Sequence, residues 1–307
     1  PPVITLTGAA SVTVQCGSDY TDAGATATDN CAGTITSGIA VTNPVNTAVP
    51  GTYTVRFNVK DPSDNSATEV VRTVTVSDTT APVITRLGEA STTVECGSAY
   101  TDAGATAVDS CAGSLTASIA VTNPVNTGVV GTYTVRYNVK DPSNNSATEV
   151  TRTVIVTDTT VPVLTLNGSA TLAVECGSVY ADAGATASDS CAGDLTAGIA
   201  ATNPVNMSVL GTYTVRYNVK DPSNNSAVEV KRMVQVVDTT PPTIAVCPAD
   251  VVLPADGNGN AQVPNFAAVL RATDSCFGTV TATQSPLAGA VLSLGDHPVT
   301  MTVTDAS

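Results

Sequence analysis

A short segment rich in small residues carries two aspartates and one cysteine, and it occurs three times in the chain. It reads YTDAGATATDNCAG from Tyr20, YTDAGATAVDSCAG from Tyr100 and YADAGATASDSCAG from Tyr180. Paired carboxylates can act as acid and base in catalysis, grouped acids can bind a metal ion, and thiols can form disulfides. The repetition itself favours a role that each copy needs separately.

Catalysis is the least supported of these chemistries. The one histidine, His297, lies outside the three copies of the segment. The sequence contains no G-x-S-x-G elbow, no phosphate-binding loop and no histidine cluster that would ligate a metal. We therefore predict that this chain is not an enzyme.

The composition indicates small β domains with thin cores. Of the 307 residues 42% are hydrophobic, but only 4% are aromatic and 12% charged, and the net charge is -14. Because so few Lys and Arg are available to displace phosphate counterions, we exclude nucleic acid and anionic membrane surfaces as partners. No stretch has the length of a membrane helix, so we predict no direct membrane insertion.

Three units follow one another without insertions. Cys16, Cys96 and Cys176 recur at a step of 80 residues, and SDTTAPVI, TDTTVPVL and VDTTPPTI separate the units. Proline stiffens such linkers, so we expect an extended rod of domains. The opening PPVI matches the linkers, from which we expect a piece of a longer secreted chain. The predicted domains are residues 1–80, 81–160, 161–240 and 241–307.

Within each unit the hydrophobic residues alternate with a period of two. In TYTVRFNVKD, Tyr53, Val55, Phe57 and Val59 fall on one face of a strand. DPSDNS then supplies a turn and ATEVVRTVTV alternates again, which predicts a hairpin. PVITLTG, SVTVQCGS, GATATDN and GIAVTNPV supply further strands. Six or seven short strands per unit predict an all-β chain of antiparallel β-sandwiches.

These motifs resemble the bacterial immunoglobulin-like surface repeat. The resemblance rests on Y-x-D-x-G-A-x-A-x-D, G-T-Y-T-V-R-[FY]-N-V-K-D and T-V-x-V-x-D, and it covers residues 1–240. It implies tandem immunoglobulin-like domains in a bacterial protein that is extracellular or on the cell surface. Many members have apolar residues where Cys16 and Cys31 stand, which suggests an added disulfide. Many also have Asp where this chain has Ala32, which weakens a calcium role for that loop.

The fourth domain has a different pattern. PPTIAVCPADVVLPADGNGNAQV, ATDSC and GDHPVTMTVTDAS are similar to the hyalin repeat, another extracellular immunoglobulin-like module, over residues 241–307. Aligned on Gly295 with the third unit at Gly211, the sequence stops where that unit continues into its last strand. The domain should therefore lack this strand. Either the sequence is truncated or another copy donates the strand.

The cysteines predict disulfides inside the units. Two cysteines in each of the first three units are fifteen residues apart, and this equal spacing favours one bridge per unit. Each bridge would contribute about 3 kcal/mol in the chain-entropy model and would require an oxidising compartment. In the fourth domain two possibilities stay open: Cys247 pairs with Cys276, or Cys247 pairs with a cysteine in the absent strand. The predicted pairs are Cys16–Cys31, Cys96–Cys111, Cys176–Cys191 and Cys247–Cys276.

Most of the repeated aspartates should gather at one end of each sandwich. In an immunoglobulin-like fold the start of the chain, the loop after GATATDN and the last hairpin turn share that end. Oxygen ligands from three segments suit Ca²⁺, but Asp also favours turns by bonding its own backbone, so both explanations stay open. The predicted groups are Asp29 with Asp61; Asp78, Asp109 and Asp141; Asp158, Asp189 and Asp221; and Asp238, Asp274 and Asp305.

The aspartate in Y-x-D-x-G has a structural explanation. Arg72 has equivalents at Arg152 and Arg232, and each lies on the face of its predicted strand where the other residues are apolar. Because a buried arginine needs an acidic partner, we predict that Asp22 pairs with Arg72 or accepts backbone donors in its own loop.

Together these features predict an extracellular structural protein, a disulfide-stapled rod that acts as a cell-surface stalk, an adhesin shaft or a filament subunit. Its expected partners are copies of itself or other surface-protein domains. Two alternatives stay open: an accessory region of a secreted enzyme and a ligand-binding adhesin. The sequence gives little support for an aromatic surface that binds carbohydrate. Trp is absent, and the repeated tyrosines of TYTVR are predicted to face the core.

Overall fold

A computed structural model describes residues 1–276 and 279–305. This part of the chain is built of β-strands joined by loops and turns, with short 3-10 helices at Thr36–Gly38, Thr116–Ser118 and Thr196–Gly198. By its internal contacts the chain divides into two compact units, Pro1–Asp158 and Thr159–Ser307. Among the described residues, no helix has the length and apolar character needed to cross a membrane.

The first repeat is a β-sandwich of seven strands. These are β1 Val3–Leu6, β2 Ser11–Gln15, β3 Ala25–Asp29, β4 Gly33–Thr34, β5 Ala40–Thr42, β6 Gly51–Asn58 and β7 Val70–Ser77. One sheet has the order β1-β3-β4 and the other the order β2-β7-β6-β5. The strands predicted from alternation are confirmed, and the hairpin β6–β7 is antiparallel.

The second and third repeats have the same two sheets in the same order. The strands of the second are β8 Val83–Arg86, β9 Ser91–Glu95, β10 Ala105–Asp109, β11 Gly113–Ser114, β12 Ala120–Thr122, β13 Gly131–Asn138 and β14 Val150–Thr157. Those of the third are β15 Val163–Leu166, β16 Thr171–Glu175, β17 Ala185–Asp189, β18 Gly193–Asp194, β19 Ala200–Thr202, β20 Gly211–Asn218 and β21 Val230–Val237.

The fourth domain contains six strands in its described part, paired two by two as β22–β24, β23–β26 and β25–β27. They are β22 Thr243–Val246, β23 Asn260–Gln262, β24 Arg271–Thr273, β25 Thr281–Ser285, β26 Val291–Ser293 and β27 Thr300–Thr304. Among the described residues no strand follows β27. The sheets are correspondingly smaller than those of the preceding repeats.

One pair of strands in each of the first three repeats departs from the antiparallel prediction. β2 lies parallel to β7, with Ser11 opposite Thr73 and Gln15 opposite Ser77, and β9–β14 and β16–β21 repeat this. The chain changes sheet between β1 and β2, where Gly8 has a φ of 84° that a side chain would disfavour. As a result β2 and β7 end together, at the C-terminal end of the sandwich.

The core lies between the two sheets. Val55, Phe57 and Val59 of the predicted core phase are buried, and they pack with Ile4 and Ala27 of the opposite sheet. The intervening Thr54 is partly buried, and the polar residues further along the strand point to solvent. The period-two prediction is therefore confirmed for this strand.

A buried arginine lies between the sheets of each repeat. Arg72 is 1% exposed, and its guanidinium pairs with the Asp22 carboxylate and donates to the Thr7 carbonyl. Asp22 also accepts from the Gly24 N–H at 2.7 Å and from the Tyr20 hydroxyl at 2.5 Å. Both sequence-based explanations of Asp22 are thus confirmed, because it serves the arginine and its own loop at once.

The second and third repeats add a tyrosine to this network. Arg152 pairs with Asp102, and Arg232 pairs with Asp182 at 2.7 Å. The hydroxyl of Tyr137 donates to Asp102 at 2.6 Å, and that of Tyr217 donates to Asp182. The first repeat has Phe57 at this position, so the tyrosine hydroxyl is an addition and the ion pair is the common part.

The ion pair should contribute more stability than the tyrosine hydroxyl. We expect Asp102→Ala to lower the local free energy of unfolding of the second repeat by about 3–5 kcal/mol, because it leaves a buried guanidinium unpaired. Tyr137→Phe should lower it by only about 1 kcal/mol. Hydrogen exchange of peptides from β13 and β14 measures both effects. Equal losses in the two variants would contradict this ranking.

The same network predicts how stability depends on pH. Burial alone would raise the pKa of Asp182, but hydrogen bonds from Tyr180, Tyr217, Gly184 and Arg232 outweigh it and lower the pKa from 3.8 to about 2. The ionised carboxylate therefore contributes its full stabilisation at pH values above the unfolded-state pKa of 3.8. This contribution is lost as the pH falls toward the folded-state pKa of about 2.

Urea unfolding followed by circular dichroism between pH 7 and pH 2 tests this dependence. We expect wild-type stability to decrease below about pH 4. Asp182→Asn should be less stable at neutral pH and should lose less on acidification. A variant that declines as steeply as the wild type would show that Asp182 is not responsible.

Candidate functional site

The loop that follows β2 lies at the C-terminal end of the first sandwich. The Cys16 N–H donates to the Ser77 carbonyl at 2.8 Å, as the parallel pairing of β2 and β7 requires. Gln15 bonds the linker, since its Nε2 donates to Asp78 Oδ1 at 3.2 Å and its Oε1 accepts from the Thr79 hydroxyl at 2.7 Å. The end of β2 therefore holds the start of the linker in place.

Two loops of the second repeat meet this linker. In the loop after β10, Asp109 Oδ1 accepts from the N–H groups of Cys111 at 2.7 Å and Ala112 at 2.8 Å. In the hairpin turn before β14, Asn145 donates from its backbone and side chain to Asp141, at 2.8 and 2.7 Å. Asn145 Nδ2 also donates to the Asp78 carbonyl at 3.1 Å, which attaches the turn to the linker.

Disulfides connect successive domains at such junctions. Cys16 pairs with Cys111 of the second repeat, with 5.6 Å between the Cα atoms. In the second unit Cys176 of the third repeat pairs with Cys276 of the fourth domain, with a Cα separation of 5.4 Å. Cys96 and Cys191 are disulfide-bonded as well, whereas Cys31 and Cys247 are free and exposed.

The prediction of one disulfide inside each unit is wrong. Cys16 lies at the C-terminal end of its sandwich, whereas Cys31 follows Asp29, whose Oδ2 is 3.9 Å from the N-terminal amine of Pro1. The five residues of β3 alone span about 13 Å, and a disulfide needs Cα atoms within about 7 Å. Two cysteines at opposite ends of one sandwich therefore cannot meet. The excluded pairs are Cys16–Cys31, Cys96–Cys111, Cys176–Cys191 and Cys247–Cys276.

A glycine beside the cysteine lets the two loops approach. Gly177 has a φ of 71°, and a Cβ built there would lie 2.9 Å from the Ser275 carbonyl oxygen. Any side chain at this position would separate Cys176 from Cys276. At the first junction Gly17 also has a positive φ of 79°, but a Cβ there would lie 3.5 Å from the Ser110 carbonyl oxygen, which is ordinary contact, so the tight approach belongs to Gly177.

Acidic side chains gather next to the disulfide of the first junction. Asp78, Asp109 and Asp141 each offer a carboxylate oxygen within 4.8 Å of the others. Their exposed fractions are 8%, 4% and 6%. Burial raises the pKa of Asp141, but its hydrogen bonds with Asn145 outweigh burial, and its pKa is below the ordinary value. Asp141 is consequently ionised at neutral pH.

The other predicted acids have different surroundings. Asp238, Asp274 and Asp305 form a partly buried group with the same 4.8 Å limit. Asp189 and Asp221 of the second unit are buried and lie within that limit of each other.

Three further aspartates complete the predicted set. Asp158, the last residue of the first unit, is buried. Asp29 and Asp61 belong to no group of three among the described residues. The structure thus brings the aspartates of the first junction and of the junction with the fourth domain together in groups of three. That these groups bind calcium stays a prediction.

The residues that hold the linkers were not predicted from the sequence. Gln15 is one, and in the second unit Glu175 has the same position and accepts from the Thr239 N–H and the Thr240 hydroxyl, both at 2.9 Å. A Gln or Glu before each C-G-S and the repeated D-T-T of the linkers are the signals that could have revealed these contacts.

The fourth domain has a groove of mixed polar and apolar lining beside its last described strand. The groove has a volume of about 960 Å³, and its lining includes Val252, Leu292 and Met301. In the first three repeats the last strand pairs with β6, β13 or β20, the strands that align with β27 in sequence. Donation of a strand by another copy stays a prediction, as does continuation of the same chain.

Sequence comparison identifies a family for most of the chain. A family model described as "Bacterial surface protein, Ig-like domain" matches three times, at residues 4–76, 84–156 and 164–236. Each match runs from the first to the last strand of one repeat.

Two curated relatives are sea urchin proteins. The chain is 34% identical over 301 residues to hyalin of Strongylocentrotus purpuratus, which covers 92% of the chain and 24% of that protein. It is 32% identical over 184 residues to hyalin of Lytechinus variegatus, covering 58% of the chain and 34% of that protein. The chain thus spans about a third or less of these relatives. The first alignment extends into the fourth domain, in agreement with its similarity to the hyalin repeat.

Among solved structures, mouse protocadherin-24 EC1-3 matches with a TM-score of 0.31 and 12% identity. The match covers 75% of this chain and 98% of that one. A similarity at this level supports no inference about function.

Peptide mapping tests the disulfide pattern. Digestion of the unreduced, alkylated protein should yield linked peptides containing Cys16–Cys111 and Cys176–Cys276. Cys31 and Cys247 should carry the alkylating group, because both thiols are free and exposed. A linked Cys16–Cys31 peptide would refute the junction geometry described above.

Proposed function

Because the chain belongs to the family of bacterial surface protein Ig-like domains, we propose that it is a structural protein whose successive domains are joined by disulfides to resist tension. The disulfide between Cys16 and Cys111 is the single observation that carries this proposal. A bridge inside one domain would stabilise only that domain. A bridge between domains adds a second covalent connection to the linker.

The protein is extracellular. Its family consists of surface domains, and disulfides persist in oxidising compartments outside the cytoplasm. Two independent features, family and cysteine chemistry, therefore agree. A bacterial source is part of the proposal, and it rests on the family alone.

The disulfide changes the path that force takes through the first unit. When the chain is pulled from its ends, tension passes from Cys16 directly to Cys111. The 95-residue separation between them cannot be extended while the bridge is intact. This segment includes β3 to β7 of the first repeat and β8 to β10 of the second. Even if their strands separate, the chain lengthens little and the repeats can refold.

The second unit has an equivalent bridge. Cys176 and Cys276 are separated by 100 residues in sequence, and the loop closed between them contains β17 to β24. Limited extension under load is useful in a cell-surface stalk, an adhesin shaft or a filament subunit, and we propose a role of this kind. The expected partners are copies of the chain or other surface-protein domains, and the role is mechanical rather than catalytic.

Single-molecule force spectroscopy tests the proposal. With disulfides intact, the unfolded protein should be shorter than after reduction by at least about 60 nm, because loops of 95 and 100 residues add about 3.3 Å per residue. The double variant Cys16→Ala with Cys111→Ala should lengthen the unreduced chain by tens of nanometres, about 3.3 Å for each residue released.

The free cysteine of the first repeat provides the matched control. Cys31 occupies the position in the first repeat that Cys111 occupies in the second, but it forms no disulfide. The variant Cys31→Ala should therefore leave the extended length unchanged. If reduction leaves the extended length unchanged, the disulfides do not limit extension and the proposed mechanical role fails.

A further inference from the structure

The junction of the first two repeats contains an uncompensated concentration of negative charge. Asp78, Asp109 and Asp141 are each more than nine-tenths buried, and their carboxylate oxygens lie within 4.8 Å of one another. Asp78 belongs to the linker, and the other two belong to separate loops of the second repeat. Like charges at this distance repel strongly when shielded from water.

One oxygen of this group has no hydrogen-bond partner among residues 1–276 and 279–305. Asp109 uses Oδ1 to accept from the Cys111 and Ala112 N–H groups. Its Oδ2 is buried and lacks any hydrogen bond. A buried carboxylate oxygen without a donor is costly. This oxygen therefore marks a position where a ligand is expected.

In the part of the chain that the structure describes, these acids form no ion pair with a basic side chain. Among the described residues, none of the three carboxylates lies within 4.0 Å of a Lys or Arg nitrogen. The three carboxylates therefore face one another within 4.8 Å, and a cation bound between them would relieve their mutual repulsion.

The donor set identifies the class of cation. All available ligands are oxygens, and the sulfur atoms of Cys111 and Cys16 are unavailable as thiolates because they form a disulfide. Zinc, which favours sulfur and nitrogen, is therefore disfavoured. Carboxylates from three separate segments suit calcium, which tolerates irregular geometry, better than magnesium, which demands a near-ideal octahedron.

We propose that Asp78, Asp109 and Asp141 together bind one calcium ion at the junction of the first two repeats. This goes beyond the proposed tension-resisting role, because it adds a reversible connection between the linker and the second repeat. The disulfide prevents separation of the repeats, and the ion orders the linker against the loops. Binding in the range of about 10⁻⁴–10⁻³ M is typical of extracellular calcium modules.

Calorimetric titration of the full chain with calcium chloride tests the site. Asp109→Asn keeps an Oδ1 that accepts from Cys111 and Ala112, so the loop should stay folded, but it removes the unpaired carboxylate oxygen. We expect this variant to bind one calcium ion fewer than the wild type. Asp141→Asn should give the same loss from a different loop.

The first repeat provides the matched control. Asp29 accepts from the Cys31 and Ala32 N–H groups at 2.8 and 3.0 Å, as Asp109 does in its own loop, but it belongs to no group of three acids among the described residues. Asp29→Asn should therefore leave the stoichiometry unchanged. Mapping of the Cys16–Cys111 peptide in each variant verifies that the junction is intact.

Two results would overturn the proposal. One is unchanged stoichiometry in Asp109→Asn, and the other is no binding by the wild type up to about 10 mM calcium, well above the extracellular range. Neither result would affect the disulfide-limited extension, so failure of the metal site is distinguishable from failure of the mechanical role.

Discussion

The ion pair between Arg72 and Asp22, repeated in the next two domains, is the interaction on which the architecture depends. Arg72 lies on β7, and its Nε and Nη2 donate to the Ala9 and Thr7 carbonyls. These carbonyls belong to the segment where the chain changes sheet. The pair therefore fastens the crossover, which places β2 parallel to β7 and brings Cys16 to the end where the chain leaves the domain.

This arrangement concentrates the connections between domains at one place. The end of β2 supplies Gln15 to the linker and Cys16 to the next repeat, and the linker itself supplies Asp78 to the acidic group. A hydrogen-bonded contact, a covalent bridge and a cluster of carboxylates thus act on the same few residues. The domains of the first unit are consequently not independent of one another, although each has its own hydrophobic core.

The resemblance to bacterial surface repeats accounted for the fold and left the cysteines as a departure. The suggested additional disulfides are present, but Cys16–Cys111 and Cys176–Cys276 connect domains and lie within none. The loop around Ala32 contributes backbone donors to its aspartate, since the Ala32 N–H donates to Asp29 and the equivalent Ala112 N–H donates to Asp109.

The sequence by itself determined the strands and the core phase and indicated Asp22 as a partner for the buried arginine, because these depend on local alternation and on the cost of an unpaired charge. It also predicted that Asp78, Asp109 and Asp141 would meet. The disulfide partners were decided only by the tertiary structure. A step of 80 residues is the same whether Cys16 bonds Cys31 or its equivalent one repeat later, Cys111. Only the direction of β2 relative to β7, fixed by a crossover that local patterns do not reveal, selects the second.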